Sequence, residues 1–276
     1  DTIKRNDKQE VMDYLSKYAY GEGTVILEPK KLTWSISNTT NKKPIIYILK
    51  SSFNVKAETI SLKIKNKLIR GYQTQNVIGY IPGKSKPDSF IFVTAHYDHL
   101  GRMGKETYFP GANDNASGVS MLLQLAKHYS NKENQPDYSM VFVCFAAEEA
   151  GLLGSRFFVE SYAYPLKQIK FLLNMDLLGT GEKGMTIVNG TVFTDAFDSI
   201  SSINESKNYL VEIKNRGKAA NSDHYFFTEA GVPSFFFYTM GGITAYHDVY
   251  DIAETLPLTE YEDVFKLFVE FISTIN

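Results

Sequence analysis

This sequence has little cysteine, little net charge and no long apolar run. These scarcities bear in turn on disulfides, on charged partners and on membrane-spanning segments. Only Cys144 among the 276 residues is a cysteine, so no disulfide forms within the chain. The use of cysteine therefore does not indicate in which cellular compartment the protein lies. The formal net charge of −2 gives no indication of a nucleic acid or an anionic membrane as partner. No apolar run approaches membrane-spanning length, and the first residues show no signal-peptide pattern. Our expectation is an extracytoplasmic protein, periplasmic or secreted.

The composition is that of a folded protein with a sizeable core. Hydrophobic residues make up 43% and aromatic residues 14% of the chain, which argues against disorder. Short β-type runs lie early in the chain, after a helical pattern at 5–20, and they cover 24–28, 32–37, 45–49 and 59–68. The last of these alternates between apolar and polar residues, which predicts a half-exposed antiparallel strand. We expect residues 1–75 to be a small, mostly β region.

From Asn76 onward, runs typical of strands alternate with helical patterns. The predicted strands lie at 77–81, 90–95, 138–147, 169–176, 185–188, 209–213 and 232–239. The predicted helices lie at 116–129, 152–162, 193–205, 222–229 and 258–275. This alternation predicts an α/β domain over residues 76–276, a three-layer sandwich with a mixed, mostly parallel central sheet and helices on both faces.

Several of the apolar runs end on side chains that bind metal ions. One run leads into His96, another into Glu148 and Glu149, a third into Asp176, and a fourth reaches His247 after a Gly-Gly loop. A buried unpaired carboxylate costs several kcal/mol, so these acids are expected at the rim of the sheet. Ligands in open α/β sheets bind outside the carboxyl ends of the strands, so the pattern predicts a site at that edge.

The candidate metal ligands are His96, Asp114, Glu149, Asp176 and His247. Imidazoles and carboxylates without cysteine suit zinc, cobalt or manganese in a catalytic site. Five protein ligands are too many for one open tetrahedral zinc, whereas two ions that share one carboxylate would use them all. Asp114 lies in a glycine-flanked loop at 111–118 and is the natural bridging ligand. Any one of these residues taken alone is more simply explained as a helix cap or an ion-pair partner, but five of them at one edge are not.

Three neighbouring residues are candidates for supporting roles. Asp98 lies two residues after His96, which on one strand places both side chains on the same face, so Asp98 is expected to accept a hydrogen bond from the metal-bound imidazole. Glu148 is the candidate general base, because consecutive residues of an extended segment point to opposite sides and Glu149 is assigned to the metal. His99 is expected to make a hydrogen bond within its loop, and a role as a further ligand stays open.

Together these motifs resemble the co-catalytic di-zinc aminopeptidases of peptidase clan MH, which include bacterial leucyl aminopeptidases and relatives of glutamate carboxypeptidase. The resemblance covers roughly residues 76–276. It rests, in chain order, on His96-x-Asp98, the loop 111–118, Glu148-Glu149, Asn174-x-Asp176, Ser222-Asp-His224 and Tyr246-His247.

The resemblance implies a zinc-exopeptidase type of fold and two zinc ions. One ion would be held by His96, Asp114 and Asp176, and the other by Asp114, Glu149 and His247. Glu148 would be the general base for the attacking water, Tyr246 would steady the tetrahedral oxyanion, and the peptide bond between Asp114 and Asn115 would be cis. Residues 1–75 would be part of a protease-associated-like domain.

Alternatives to a zinc-dependent aminopeptidase acting on peptides remain. A single-zinc glutaminyl cyclase resembles the same fold, but those enzymes have another sequence in place of the Asp114 loop. A dipeptidase or carboxypeptidase would need a basic pocket for a substrate carboxylate, which Arg156, Arg216 or Lys218 could supply. A non-catalytic relative is disfavoured because the ligands and the base are all present. The sequence leaves the side-chain preference and the oligomeric state open.

Overall fold

The computed structural model describes residues 22–53, 59–161 and 164–275. The chain divides into two units, Asp1–Tyr72 and Gln73–Asn276, where a boundary between residues 75 and 76 was expected. In the first unit, β1 (Thr24–Glu28) pairs in parallel with β2 (Ile45–Leu49). The helix predicted at 5–20 lies outside the described residues.

Two strands predicted in the first unit are absent, and these predictions were wrong. Residues 32–37 and 59–68 carry no strand pairing. Ile60, Leu62 and Ile64 in the alternating segment are 46%, 46% and 59% exposed. Alternation indicates which side chains would share a face, but a strand also needs a partner for its backbone N–H and C=O groups.

The second unit is built on strands that follow one another between helices. In chain order they are β3 (Val77–Ile81), β4 (Lys86–His96), β5 (Gly101–Met103), β6 (Thr107–Phe109), β7 (Tyr138–Phe145), β8 (Ile169–Met175), β9 (Met185–Val188), β10 (Ile213–Arg216) and β11 (Ser234–Thr239). Strands β5 and β6 pair with each other, and the rest form one seven-stranded sheet in the order β10-β9-β11-β8-β4-β7-β3.

The direction of the strands places four carboxyl ends at one edge of the sheet. Strands β7, β4, β8 and β11 are parallel neighbours. Strand β3 runs antiparallel to β7, and the parallel pair of β9 and β10 runs antiparallel to β11. The predicted mixed, mostly parallel sheet of an α/β fold is therefore confirmed.

Helices cover both faces of this sheet. They are α1 (Gly118–Ser130), α2 (Leu153–Glu160), α3 (Thr194–Lys207), α4 (His224–Glu229) and α5 (Tyr261–Thr274). Buried residues of α1, α3 and α5 belong to one apolar cluster with Ile91 and Val93 of β4, whereas those of α2 and α4 belong to another cluster with Phe92. Because both faces are covered, β4 is apolar at consecutive positions. Among the described helices, none has the length and apolar character that crossing a membrane requires.

The strand predicted at 209–213 begins later than expected. The Asn204 side chain in α3 donates to the carbonyl of Leu210 at 2.9 Å and accepts from the N–H of Leu210 at 2.8 Å. These bonds hold the segment after the helix in a turn. Pairing with β9 starts only at Ile213, which lies opposite Met185.

Candidate metal centre

The parallel strands bring the predicted ligands to one edge of the sheet. His96 is the last residue of β4, and Asp176 directly follows β8. Glu149 follows β7, and His247 comes after β11 and a connecting loop. Asp114 lies in the turn Ala112–Ser117 that precedes α1.

Asp114 lies between two groups of these side chains. Its Oδ1 is 3.2 Å from His96 Nε2, and its Oδ2 is 3.2 Å from His247 Nε2. His96 Nε2 is also 3.5 Å from Asp176 Oδ1. His247 Nε2 is 3.2 Å from Glu149 Oε2. His96 and Asp176 form the first group, and His247 and Glu149 form the second. Each oxygen of one carboxylate thus faces a different imidazole and a different second carboxylate.

His99 adjoins the second group. Its Nδ1 is 2.8 Å from Glu149 Oε1, and its ring meets the His247 ring edge-on with the centroids 5.9 Å apart. His99, Asp114 and Glu149 each have a ligand atom within 4.8 Å of the others. His99 is therefore within reach of a cation held by this group.

The turn that carries Asp114 is held by side chain to backbone hydrogen bonds. Gly111 begins it with a φ of 67°, a left-handed conformation that glycine adopts without steric cost. The peptide bond between Asp114 and Asn115 is cis, as the resemblance implied. Asn115 Nδ2 donates to the carbonyl of Met175 at 2.9 Å, and Asn115 Oδ1 accepts from Gly118 N–H at 3.0 Å. A Cβ on Gly118 would overlap both Asn115 and the Met175 carbonyl, which explains the glycine at the end of this motif.

Asp251 is a functional residue that sequence reasoning missed. It is fully buried, and its two carboxylate oxygens accept from the backbone N–H groups of Asn113 at 2.8 Å and Asp114 at 3.0 Å. These bonds fix the backbone from which the shared carboxylate projects. Apart from its spacing to His247, Asp251 carries no signal of this role in the sequence. Both of its hydrogen-bond partners are backbone groups more than a hundred residues earlier in the chain.

Asp98 contacts His96 in a different way from the one predicted. It lies past the end of β4, and its backbone carbonyl oxygen is 3.0 Å from His96 Nδ1, whereas its Oδ1 is 3.8 Å away. The carboxylate instead accepts the backbone N–H groups of Glu148 at 3.0 Å and Glu149 at 3.2 Å. Its side chain therefore holds the segment that carries the two glutamates.

The two glutamates lie in a turn, so the argument from an extended segment was wrong here. Strand β7 ends at Phe145, and the carbonyl of Glu148 accepts from the N–H groups of Gly151 and Leu152, both at 2.8 Å. The two side chains nevertheless have different surroundings. Glu149 contacts the imidazoles of His99 and His247, whereas no ion pair to Glu148 is found among the described residues.

A chain of buried hydrogen bonds fixes Asp176. Thr94 donates to Asn174 Oδ1 at 2.8 Å, Asn174 Nδ2 donates to Ser222 Oγ at 2.8 Å, and Ser222 Oγ donates to Asp176 Oδ2 at 3.0 Å. The motifs Asn174-x-Asp176 and Ser222-Asp-His224 are therefore structurally linked. His224 is fully buried and stacks at an angle near Phe236, with ring centroids 5.4 Å apart.

Tyr246 lies over the second group. Its ring stacks on the His247 imidazole with the centroids 4.1 Å apart, and 46% of the residue is exposed. It lines a cavity of about 410 Å³ together with Asp114, Glu148, Glu149, Asp176 and His247. The metal-type side chains thus open onto a space of small-ligand size.

The carboxylates hold protons on the imidazoles of the site. Burial alone would lower the pKa of His96, but the charge of Asp176 and a hydrogen bond with Asp114 outweigh it and raise that pKa well above its usual value. Burial likewise opposes charge on His247, yet hydrogen bonds with Asp114 and Glu149 raise its pKa to about 10. Burial also raises the pKa of Glu148 to about 9.

The donor set fits divalent cations. Asp176 Oδ1 is buried and makes no hydrogen bond within the described part of the chain. Leaving such an oxygen unsatisfied costs about 1–3 kcal/mol or more when it is charged, and a cation beside His96 and Asp114 would satisfy it. Imidazole and carboxylate ligands without thiolate favour zinc, manganese or a similar ion.

Fold and site together define a class of α/β proteins in which the carboxyl edge of the sheet carries two groups of side chains that could hold metal ions, joined by one carboxylate. Residues 76–272 match the Peptidase family M28, and the chain belongs to that family. The resemblance drawn from the motifs is thereby confirmed.

The proteins to which this chain is similar include aminopeptidases. Aminopeptidase YwaD of Bacillus subtilis is 30% identical over 207 residues, which are 74% of this chain and 44% of that protein. A zinc aminopeptidase structure from Bacillus subtilis is 27% identical with a TM-score of 0.60, and the match covers 71% of this chain and 49% of the other. The chain therefore spans about half the length of these relatives. A glutaminyl cyclase from an Acidobacteriales bacterium shares the fold, with 21% identity and a TM-score of 0.62 over 73% of each chain.

Binding of a divalent metal to the metal-free protein should release protons, and the apparent affinity should rise with pH. The raised pKa values of His96 and His247 keep both imidazoles protonated at neutral pH, and a metal needs the neutral form. Calorimetric titrations in buffers of different ionisation enthalpy measure the protons released. His247→Gln should lower that number by about one, whereas His128→Gln, on α1, should not. Binding without net proton release at neutral pH would contradict this charge state.

Asp251→Asn should weaken metal binding by about 10- to 100-fold, the usual effect of losing a group that orients a ligand. The amide keeps the size of the side chain but replaces one of the two acceptors with a donor, which faces a backbone N–H. The metal dissociation constant, measured by competition with a chelator, checks this. Asp263→Asn on α5, where the carboxylate pairs with Lys266, is the control. An unchanged constant in Asp251→Asn would show that Asp114 needs no such support.

Proposed function

We propose that this protein is a zinc-dependent aminopeptidase that removes N-terminal residues from peptides. The observation that carries the proposal is the placement of the Asp114 oxygens, each 3.2 Å from a different imidazole. Membership of the Peptidase family M28 and similarity to the two Bacillus subtilis proteins, one named an aminopeptidase and the other a zinc aminopeptidase, support it.

Two zinc ions account for the whole ligand set. His96, Asp114 and Asp176 would hold one, and Asp114, Glu149 and His247 would hold the other, with His99 beside the second. Shared carboxylates are typical of sites in which two ions lie roughly 3.5–4 Å apart. Such ions lower the pKa of a bound water and polarise the carbonyl that is attacked.

Glu148 is the proposed general base. Its carboxyl group lines the cavity beside the ligands, from where it would take a proton from the attacking water and deliver it to the leaving amine. Burial raises its pKa in the metal-free protein, and nearby cations would favour the ionised form that a base requires. Asp98 would act as a positioning residue, because its carboxylate binds the N–H of Glu148.

Tyr246 is the proposed donor to the tetrahedral oxyanion. Its ring is held against His247 and faces the same cavity. Burial, with the negative charge of Asp114 and its neighbours, raises the pKa of the phenol above its usual value. The phenol therefore keeps its proton over the working pH range, as a hydrogen-bond donor must.

A dipeptidase or carboxypeptidase activity would need a cation for a substrate carboxylate, and the structure separates the three candidates. Arg156 pairs with Glu160 on the exposed side of α2 at 2.8 Å, and Lys218 pairs with Glu229. Arg216 lines the cavity. A glutaminyl cyclase is supported by the fold alone, and it would leave the second group of ligands without a role.

Chelation should abolish hydrolysis of aminoacyl nitroanilides, and added zinc should restore it with two ions per chain at full activity. The reason is that Glu148, as the proposed base, acts on a water whose pKa the bound cations lower. Metal content by elemental analysis, measured with the activity, checks both claims. Full activity in a metal-free preparation would disprove metal-dependent hydrolysis, and saturation at one ion per chain would disprove the shared site.

The adjacent glutamates should respond differently to the same substitution. Glu148→Gln keeps size and hydrogen bonding but removes the proton acceptor, so both metals should stay while kcat falls by about 10²- to 10⁴-fold or more. Glu149→Gln replaces a charged ligand oxygen and should instead lower metal content. Both variants are compared side by side for bound metal and kcat. Loss of zinc from Glu148→Gln, or near-normal turnover, would reverse the assignment of base and ligand.

A further inference from the structure

The cavity beside the metal-type ligands also contains one basic side chain. Asp114, Glu148, Glu149 and Asp176 line the cavity. Leu152, Phe236 and Tyr238 line its wall, and Arg216 contributes a guanidinium. We propose that Arg216 binds the acidic side chain of the substrate's N-terminal residue, so that the enzyme prefers N-terminal glutamate or aspartate. This inference rests on the proposed aminopeptidase function.

The register of the sheet fixes the position of Arg216. Arg216 in β10 lies opposite Val188 in β9, and Val188 lies opposite Phe236 in β11. Residues directly opposite one another share a face, so Arg216 and Phe236 project to the same side, two strand spacings or about 10 Å apart. Phe236 in turn lies opposite Asn174, two residues before Asp176. Arg216 is therefore set below the edge that carries the ligands and to one side of it.

Arg216 is available to a ligand, unlike the cations on either side of it in the chain. Lys214 Nζ is 3.2 Å from Glu212 Oε2, and Lys218 pairs with Glu229. Within the described residues no carboxylate pairs with Arg216. A guanidinium presents a planar set of donors that matches a carboxylate with two parallel hydrogen bonds.

The charges and the apolar wall match one kind of substrate residue. An N-terminal glutamate carries an ammonium group on its Cα and a carboxylate at the end of an apolar stem. Leu152 and Phe236 suit the methylene groups, and Arg216 suits the carboxylate. The reverse orientation would place the ammonium group beside the guanidinium of Arg216, which is unfavourable.

The C-terminal carboxylate of a dipeptide would offer Arg216 the same chemistry. The proposed aminopeptidase function favours the side chain. The N-terminal residue of every substrate lies beside the metal-type ligands, whereas the position of the C-terminal carboxylate changes with the length of the peptide. The two sources of the carboxylate are distinguished by substrates that carry only one of them.

The test compares kcat/KM for the nitroanilides of glutamate, glutamine and leucine in the wild type, Arg216→Gln and Lys214→Gln. Lys214 is the matched control, because it lies on the same face of β10 but pairs with Glu212 and does not line the cavity. The wild type should prefer glutamate to glutamine. In Arg216→Gln this ratio should fall about twofold to fivefold, as expected for an exposed ion pair. The loss of kcat/KM in Arg216→Gln should be greater for glutamate than for leucine, and the glutamate-to-glutamine ratio in Lys214→Gln should not change.

Two further measurements separate the possible failures. Calorimetric titration with free glutamate and free glutamine should show the same preference, lost in Arg216→Gln, without any reaction. If the variant instead loses selectivity for Leu-Gly over Leu-Gly-amide, Arg216 binds the C-terminal carboxylate and the proposal is overturned. An unchanged glutamate ratio overturns it as well. Failure of the wild type to hydrolyse any nitroanilide would refute the aminopeptidase, whereas the titrations would still decide the role of Arg216.

Discussion

The site depends on one constraint, which is that a single carboxylate must face two cation-binding groups at once. Asp114 satisfies it because its backbone is fixed from outside the turn as well as within it. The carboxylate of Asp251 holds the N–H of Asp114, while Asn115 ties the turn to the end of β8. A buried charge is tolerated only where it is paired and hydrogen-bonded. A second buried carboxylate, that of Asp251, therefore holds the backbone from which the first one projects.

The central sheet determines which residues surround Asp114. Its parallel strands end together, so His96 and Asp176 reach the edge from neighbouring strands. The hydrogen bonds from Thr94 through Asn174 and Ser222 to Asp176 extend this order from the core into the site. Fully satisfied buried networks are rigid, whereas partly satisfied ones are costly. The oxygen of Asp176 that remains without a hydrogen bond is the one beside His96, where a cation would complete the network.

Sequence reasoning recovered the sheet and the residues that meet at its carboxyl edge, because both leave local signals. A strand covered on both faces is apolar at every position, and the residue that ends it is read directly, as for His96 and Asp176. The missed features depend on contacts distant in sequence. Asp251 acts on backbone groups far away in the chain, the segment 59–68 alternates without a partner strand, and Asn204 holds a turn where apolar residues indicated a strand. Periodicity contains no information about such contacts.

The different roles proposed for Glu148 and Glu149 arise from the turn that carries them and not from the alternation of side chains along a strand. One carboxylate, Asp98, binds the N–H groups of both residues, and its backbone carbonyl contacts His96 Nδ1. Glu148, Glu149 and His96 are therefore all held by one residue. A displacement of Asp98 would move all three together. The spacing between the base and the two cation-binding groups is thus built into the backbone and does not depend on the long side chains alone.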